Sequence, residues 1–244
     1  MLFNFDYSTG GSIAEGDFSF AGKHEFLSDG SGNFELILYE SGVLTWYTDP
    51  GDVDICLVAG GMPGEEESVL GGKGGEVVNV TNQHLTAGTY NATVGGSGED
   101  SSLAAPGGAS WTANSGEGAE TGRPGRDGSL AWGDANTLLR PGVIYGSGGG
   151  YGSVLDYRGI VVDADLGGSV GTADDGKPNG HGGSEAHPVG YSGMDGTGQG
   201  GGGGRREWTV ETHSSYTRSY YVNHGGGKGG SGAILIRNHK EVSA

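Results

Sequence analysis

The chain has 244 residues, of which 56 are Gly, and it carries a formal net charge of −17. Such a charge repels nucleic-acid phosphates and anionic lipid, which excludes nucleic-acid binding as the main role. No stretch approaches the roughly 18 consecutive apolar residues that a membrane-spanning helix needs. The first residues lack the basic start and apolar run of a secretory signal peptide, so we expect a protein that is made in the cytoplasm and not inserted into a membrane.

Short strands are predicted along the first part of the chain. Aromatic residues alternate with polar ones at residues 3–7 and again at 18–20, which is the period of a half-buried strand. A turn cluster at 28–33 separates these strands from two further predicted ones, at 34–39 and 43–47.

The most buried strand is predicted at residues 53–58, because this segment is an almost continuous apolar run. Cys56, the only cysteine, lies inside the run, and we expect it to fill the core rather than to act as a nucleophile. Further strands are predicted at 76–80 and 85–94. The apolar run at 233–237 predicts a central strand that returns to pair with the early ones.

These elements predict an all-β fold with almost no helix. The simplest architecture is an antiparallel, jelly-roll-like β-sandwich that carries a large Gly-rich insertion. We therefore predict N-terminal strands at 1–32, a sandwich core at 33–94 plus 232–237, and the insertion at 95–231. The N-terminal segment is the predicted point of attachment to a larger particle.

The Gly-rich insertion has three possible outcomes. Gly loses more backbone freedom on folding than any other residue, so an ordered insertion must recover that entropy by close packing. Extended polyglycine-II strands can pack side by side because no Cβ keeps their backbones apart, and this is the outcome that we predict. Irregular ordered loops and disorder are the alternatives. The many large rings in the insertion argue against a flexible linker.

The segment 205–224 is the most informative part of the insertion, because it is aromatic, polar and free of Gly. Its Thr, Val and Tyr residues favour strands, so we predict a projecting hairpin. The rings either pack on the polyglycine surface or face outward as binding platforms, as they do in antibody paratopes. The candidate ligand-binding residues are Trp208, Tyr216, Arg218, Tyr220 and Tyr221 in this segment, and Trp111, Trp132, Tyr151 and Tyr191 elsewhere in the insertion.

No pattern in the chain predicts catalysis. Residues 167–171 spell G-x-S-x-G, but no helical pattern follows them, and a nucleophile elbow requires a strand-to-helix turn. The run 225–229 has Gly229 where a phosphate loop needs Ser or Thr. No pair of carboxylates is singled out as a glycosidase would require. We therefore expect a protein that is not an enzyme.

Metal binding is weakly indicated at most. Asp163, Asp165, Asp174 and Asp175 could surround a calcium ion, or they are solvated loop carboxylates. Residues 95–100 match part of a calcium-binding β-roll repeat, but that fold needs tandem copies. The histidines at 181, 187, 213 and 224 lack the spacing of zinc ligands. We expect no cofactor, with calcium as the one alternative.

Several segments together resemble a known family. The runs at 34–45, 53–61, 71–78 and 85–95, and the ending at 229–237, are similar to the glycine-rich domain proteins of tailed bacteriophages and prophages. The resemblance covers most of the chain from Phe20 to Arg237. It implies a virion surface protein among the tail or fibre components, with an architecture like that of fibre-tip adhesins with polyglycine cores.

The resemblance and the aromatic segment together give a functional hypothesis. We expect a non-enzymatic receptor-binding adhesin on the virion surface that recognises a host cell-surface glycan or protein through aromatic loops. Its partners would be other virion proteins and further copies of itself, assembled in the host cytoplasm. The alternative is a structural virion protein, such as a capsid decoration or a head fibre, that binds only other virion proteins.

Overall fold

The computed structural model describes residues 13–30, 32–122, 125–170 and 177–238. The fold is all-β, with 37% of residues in strands and 3% in short helical turns, as the sequence predicts. The strand predicted at residues 3–7 lies outside the described residues. Two 3₁₀ turns, η1 (Glu15–Asp17) and η2 (Ala131–Gly133), accompany the strands. The strands are β1 (Phe18–Phe20), β2 (His24–Ser28), β3 (Phe34–Leu38), β4 (Gly42–Trp46), β5 (Gly51–Val58), β6 (Val77–Leu85), β7 (Gly88–Thr93), β8 (Ser101–Ala104), β9 (Ser110–Ala113), β10 (Ser129–Leu130), β11 (Ile144–Tyr145), β12 (Val154–Leu155), β13 (Val161–Val162), β14 (Arg206–Thr212), β15 (Thr217–Asn223) and β16 (Ala233–Asn238).

Two five-stranded antiparallel sheets form the sandwich. The first sheet has the order β1-β4-β7-β8-β9, and the second has the order β2-β3-β16-β5-β6. The closing strand β16 lies between β3 and β5, with Leu235 opposite Ile37 on one side and Cys56 on the other. The prediction that the last strand returns to the middle of the early ones is therefore confirmed.

The main core lies between the two sheets. Its largest fully buried side chains include Trp46, Tyr90, Phe34, Leu36 and Leu44. The second sheet is also covered on its other face, where a smaller cluster contains Ile37, Cys56, Leu235 and Tyr145. A strand that is buried on both faces needs apolar residues at successive positions, which explains the continuous apolar runs of β5 and β16.

The sandwich is larger than the sequence predicts. It begins at Phe18 rather than at residue 33, and it includes β8 and β9, which the prediction assigned to the insertion. These two strands are short, and only Leu103 and Ala113 contribute fully buried apolar side chains. Trp111, on β9, packs against the same core.

The Gly-rich part forms a bundle of extended segments, and residues 198–205 run through its middle. From Gly200 onward, the N–H groups of this central segment donate to three neighbouring segments in turn and return to two of them three residues later. Gly200 and Gly203 donate to the carbonyls of Ser147 and Gly150, which belong to one neighbouring segment. Gly202 and Arg205 donate to the carbonyls of Tyr191 and Pro188 in a second segment, and Gly201 donates to the carbonyl of Met62 in a third. The N···O distances are 2.7–3.0 Å.

The carbonyl groups of the central segment show the same repeat of three. Gly75 and Gly72 donate to Gly198 and Gly201, Gly230 and Gly227 donate to Gln199 and Gly202, and Gly183 donates to Gly203. Three neighbouring segments thus accept hydrogen bonds from residues 200–205, and three donate to residues 198–203. A repeat of about three residues per turn without internal hydrogen bonds belongs to the polyproline-II and polyglycine-II family of helices. The Gly-rich part around the central segment is therefore a packed polyglycine bundle rather than a set of irregular loops.

Close packing explains why the central positions are Gly. A Cβ built on Gly202 would lie 1.8 Å from the carbonyl oxygen of His181, far inside the sum of the van der Waals radii of the two atoms. No rotation of a side chain could relieve that overlap, because the obstacle is backbone.

A four-stranded sheet of order β13-β12-β14-β15 continues from the bundle. Strand β12 follows the bundle segment 146–152, and β14 follows the central segment directly. Among the residues that the structure describes, no helix is long and apolar enough to span a lipid bilayer.

Candidate functional site

The candidate site is the hairpin of β14 and β15. Seven cross-strand pairs join the two strands, from Arg206 opposite Asn223 at the base to Thr212 opposite Thr217 near the tip. Strand β12 pairs with only the first two residues of β14. Beyond Glu207 the outer edge of β14 carries no strand within the described ranges. The predicted hairpin at 205–224 is therefore confirmed, with its base held by the sheet.

Strand alternation gives the hairpin two chemically different faces, because residues paired across an antiparallel ladder share a face. We call the face that contains Trp208 the aromatic face. Its residues are Arg206, Trp208, Val210, Thr212, Thr217, Ser219, Tyr221 and Asn223. We call the other face the charged face. Its residues are Glu207, Thr209, Glu211, Arg218, Tyr220 and Val222.

The aromatic face is organised around Trp208. The Trp208 ring meets the ring of Tyr221 edge to face, with centroids 4.9 Å apart and planes at 69°. On its other side it meets Tyr157 in the same way, at 6.4 Å and 71°. The Arg206 guanidinium lies 4.1 Å from the centroid of Tyr221. Three rings and one cation thus form a continuous row, and edge-to-face contacts of this kind hold aromatic rings in fixed orientations.

Tyr157 reaches this row from the turn that follows β12. Asp156 builds the turn by accepting hydrogen bonds from the backbone N–H groups of Arg158 and Ile160, at 2.8 and 2.9 Å. Its other oxygen pairs with the Arg158 guanidinium at 2.6 Å. These bonds hold the pKa of Asp156 below its ordinary value. Tyr157 is 67% exposed, so the row ends in an accessible ring.

The charged face is occupied by internal pairs. The carboxylate of Glu211 accepts hydrogen bonds from the Tyr220 hydroxyl and from Arg218 Nε, the latter at 2.7 Å. The Tyr220 hydroxyl, followed by Arg218, holds the pKa of Glu211 below its ordinary value. At the base, Glu207 lies 3.2 Å from Arg205 Nε and 3.5 Å from His224 Nε2. The polar groups of this face are therefore largely engaged with one another.

The structure separates the nine candidate residues. Trp208 and Tyr221 share the aromatic face, whereas Arg218 and Tyr220 point to the charged face. Tyr216, at the tip, is 53% exposed and stacks on His213 at 4.6 Å.

The four remaining candidates lie apart from the hairpin faces. Tyr191 stacks on His187 at 4.2 Å, and the carbonyl of Tyr151 accepts the Asp165 N–H inside the bundle. Trp111 packs on the sandwich core, and Trp132 lies 4.3 Å beneath the Arg237 guanidinium.

Sequence reasoning missed two residues of the aromatic face. Arg206 could have been found, because its even spacing from Trp208 along a strand places both on one face. Tyr157 could not have been found. It reaches Trp208 only because β12 pairs in parallel with β14, and no local sequence pattern predicts this pairing.

The structure provides no metal centre in the residues that it describes, where no group of three or more His, Cys, Asp or Glu side chains converges. Two of the calcium candidates, Asp174 and Asp175, lie outside the described residues.

Comparison with models of known protein families, with curated proteins and with solved structures found no match. The likeness to glycine-rich phage proteins therefore rests on the sequence segments quoted above.

Proposed function

We propose that this chain is a non-enzymatic surface protein of a tailed-phage particle, an adhesin that recognises a host cell-surface glycan or protein through the aromatic face of the hairpin. The observation that carries the proposal is the row of Tyr157, Trp208 and Tyr221 with Arg206. The row stands on a hairpin that, among the described residues, pairs with the rest of its sheet only at its base.

The geometry of this row suits recognition. Tyr and Trp supply large contact areas at a small cost in conformational entropy, because each has only two rotatable side-chain bonds. The rings are also supported, since β14 continues directly from the central segment of the bundle. A rigid platform loses little further entropy when a ligand binds, which favours affinity.

The particle-surface part of the proposal draws on the resemblance to glycine-rich phage proteins. In this proposal the sandwich, or the chain that precedes it, attaches to other virion proteins, and several copies assemble on one particle. The bundle then serves as a spacer that carries the hairpin outward.

Cell binding tests the adhesin function directly. The labelled chain and its variants would be titrated onto the bacterial strain to which the particle adsorbs, with bound label read by flow cytometry. We expect Trp208→Ala to weaken binding by roughly tenfold or more, since a buried aromatic anchor typically contributes about 2 kcal/mol or more. Tyr220→Phe, on the charged face, is the matched control and should bind like the wild type. Equal binding by the wild type and Trp208→Ala would refute the role of the aromatic face.

One observation favours the alternative of a purely structural virion protein. The edge strand β13 exposes Val161 and Val162 at 51% and 43%, and the adjacent Ile160 is 48% exposed. An exposed apolar edge is a surface that another protein chain can cover. Locating the chain on the assembled particle by cryo-EM separates the two functions. Copies at a tail or fibre tip with the hairpin outward support the adhesin, and copies that tile the capsid with β13 covered support the structural role.

A further inference from the structure

The charge of the aromatic face departs from that of the whole chain. The chain has 30 acidic and 13 basic residues, yet none of the eight hairpin residues on this face is Asp or Glu. Both glutamates of the two strands, Glu207 and Glu211, lie on the charged face. The alternation of the two strands therefore keeps the carboxylates of the hairpin off the aromatic face.

Arg206 is the one cation among the eight residues of this face, and no carboxylate of the described residues forms an ion pair with it. Its neighbours Arg158, Arg205 and Arg218 are each paired, with Asp156, Glu207 and Glu211 respectively. Arg206 makes no ion pair within the described part of the chain, and its residue is exposed. Its guanidinium instead lies over the ring of Tyr221 at 4.1 Å.

A guanidinium in this position still has donors to offer. Contact with an aromatic ring occupies the flat face of the group and leaves N–H bonds at its edge. Those N–H bonds form a fork that fits the two oxygens of a carboxylate. The adjoining rings of Trp208 and Tyr221 supply an apolar surface for the carbon skeleton that bears the carboxylate.

We propose that the aromatic face binds an acidic glycan, with the carboxylate of a uronic-type or sialic-type sugar on Arg206 and the sugar ring against Trp208 and Tyr221. This inference rests on the proposed adhesin function and names the class of its ligand. The aromatic face offers one cation without an ion pair among neutral hairpin residues, which suits a ligand that carries one negative charge per sugar unit. A densely charged polymer such as a nucleic acid would meet the net charge of −17 with no further cation on this face to offset it.

The test compares a carboxylate sugar with its uncharged methyl ester. Binding of the full chain to galacturonate oligosaccharides and to their methyl esters would be measured by isothermal titration calorimetry at physiological salt. Polysialic acid is a second carboxylate probe, and dextran sulfate serves as a probe of unspecific charge attraction. Arg206→Gln removes the proposed contact, and Arg218→Gln removes an equal charge from the opposite face of the same hairpin.

We expect at least one carboxylate polymer to bind, and the galacturonate methyl esters and dextran sulfate to bind much more weakly. Arg206→Gln should weaken that binding by roughly tenfold to a hundredfold, the effect of losing a charge-assisted hydrogen-bonded contact, whereas Arg218→Gln should leave it unchanged. If galacturonate binds, equal binding of its methyl ester would overturn the inference. Equal binding of dextran sulfate, equal effects of the two Arg variants, or no binding of either carboxylate polymer would also overturn it.

The failure of this inference can be told apart from the failure of the adhesin function. Cells that still bind the chain in a Trp208-dependent way, while both carboxylate polymers do not, would keep the adhesin and remove the acidic glycan. Loss of that cell binding after protease treatment of the cells would then identify a surface protein as the ligand.

Discussion

Gly226 packs directly against the backbone of Gly64, so that a methyl group on Gly226 would lie 2.3 Å from the Gly64 carbonyl oxygen. Its chain neighbour Gly225 has no atom within 4 Å of the corresponding position, and its φ lies outside the left-handed region. Two adjacent glycines thus occupy opposite environments, one inside the packed bundle and one at its margin.

Substitution of these two glycines by Ala should have clearly different effects on the free energy of unfolding. Gly226→Ala forces backbone apart, and we expect it to lower the free energy of unfolding by about 2 kcal/mol or more. Gly225→Ala restricts the unfolded chain without a clash, so it should leave stability unchanged or raise it by up to about 1 kcal/mol. Urea denaturation followed by circular dichroism measures both. Similar losses for the two variants would show that the bundle does not pack as described.

Ser101 ties the two layers of the sandwich to the start of the bundle. Its hydroxyl donates to the carbonyl of Val58 in the second sheet at 2.7 Å and accepts the N–H of Gly95 at 2.9 Å, and the residue is fully buried. Ser101→Ala removes the acceptor of a buried N–H group, which typically costs about 1–3 kcal/mol. The neighbouring Ser102 points to the opposite face of β8, so Ser102→Ala is the matched control, with an expected change within about 0.5 kcal/mol. Chemical denaturation of the two variants measures the free energy of unfolding of each. Equal losses of stability would contradict the bridging role of Ser101.

The sandwich could be predicted where burial leaves a pattern in the sequence. The alternation around Phe18, Phe34 and Leu44 and the apolar runs of β5 and β16 announce strands and even their depth. Strands β8 and β9 could not be predicted, because each spans only four residues. Their Ser and Thr residues are also typical of loops, although the two strands pair with each other in the structure.

The sequence predicts that the bundle is closely packed, but it does not predict which glycines lie inside it. Composition shows that Gly-rich segments must pack closely, but Gly200 and Gly225 look alike in the sequence while one is buried and the other lies at the margin. The partners of each segment are set by backbone hydrogen bonds between distant parts of the chain, such as Gly72 with Gly201. The hairpin could be predicted from the β propensity of its residues. The contact of Tyr157 with Trp208 could not be predicted, because it depends on this long-range assembly.

Cys56 should make the protein sensitive to alkaline pH. Burial raises the pKa of its thiol from 9.0 to about 12, so the native state holds the proton more tightly than the unfolded state does. The resulting stability is complete below about pH 9 and is lost as the pH rises from there toward 12. Within this window the thiol contributes a loss of up to about 1.4 kcal/mol per pH unit.

Cys56→Ala isolates this contribution. The variant loses packing at every pH, but its stability should fall less steeply than that of the wild type between pH 9 and 10, because the titrating thiol is gone. Burial also raises the pKa of Tyr39 and Tyr145, so both tyrosines are neutral in the native wild type and variant between pH 9 and 10, and their effect cancels in this window. Urea titrations at a series of pH values give the two slopes, and parallel curves would refute the assignment.

The neighbouring tyrosines of β15 should act on Glu211 in different ways because they point to opposite faces of the hairpin. The Tyr220 hydroxyl donates to the Glu211 carboxylate and is the main reason that the pKa of Glu211 is lowered. Tyr220→Phe removes this donor, so the pKa should rise toward its ordinary value of 4.5, although Arg218 still holds it down in part. Tyr221→Phe keeps its ring on the aromatic face and should leave the Glu211 pKa unchanged.

An NMR titration of the Glu211 side-chain carboxyl in the wild type and the two variants measures this difference. Because the lowered pKa belongs to the folded hairpin, the interaction is present above pH 4.5 and disappears as the pH falls through the lowered value. The charged face should therefore lose its internal pairing in acid before the rings of the aromatic face are disturbed. If Tyr220→Phe left the pKa where it is, the contact between Tyr220 and Glu211 would be refuted. If Tyr221→Phe moved the pKa as far as Tyr220→Phe does, the two faces would not be independent, and the assignment of ligand contacts to the aromatic face alone would fail.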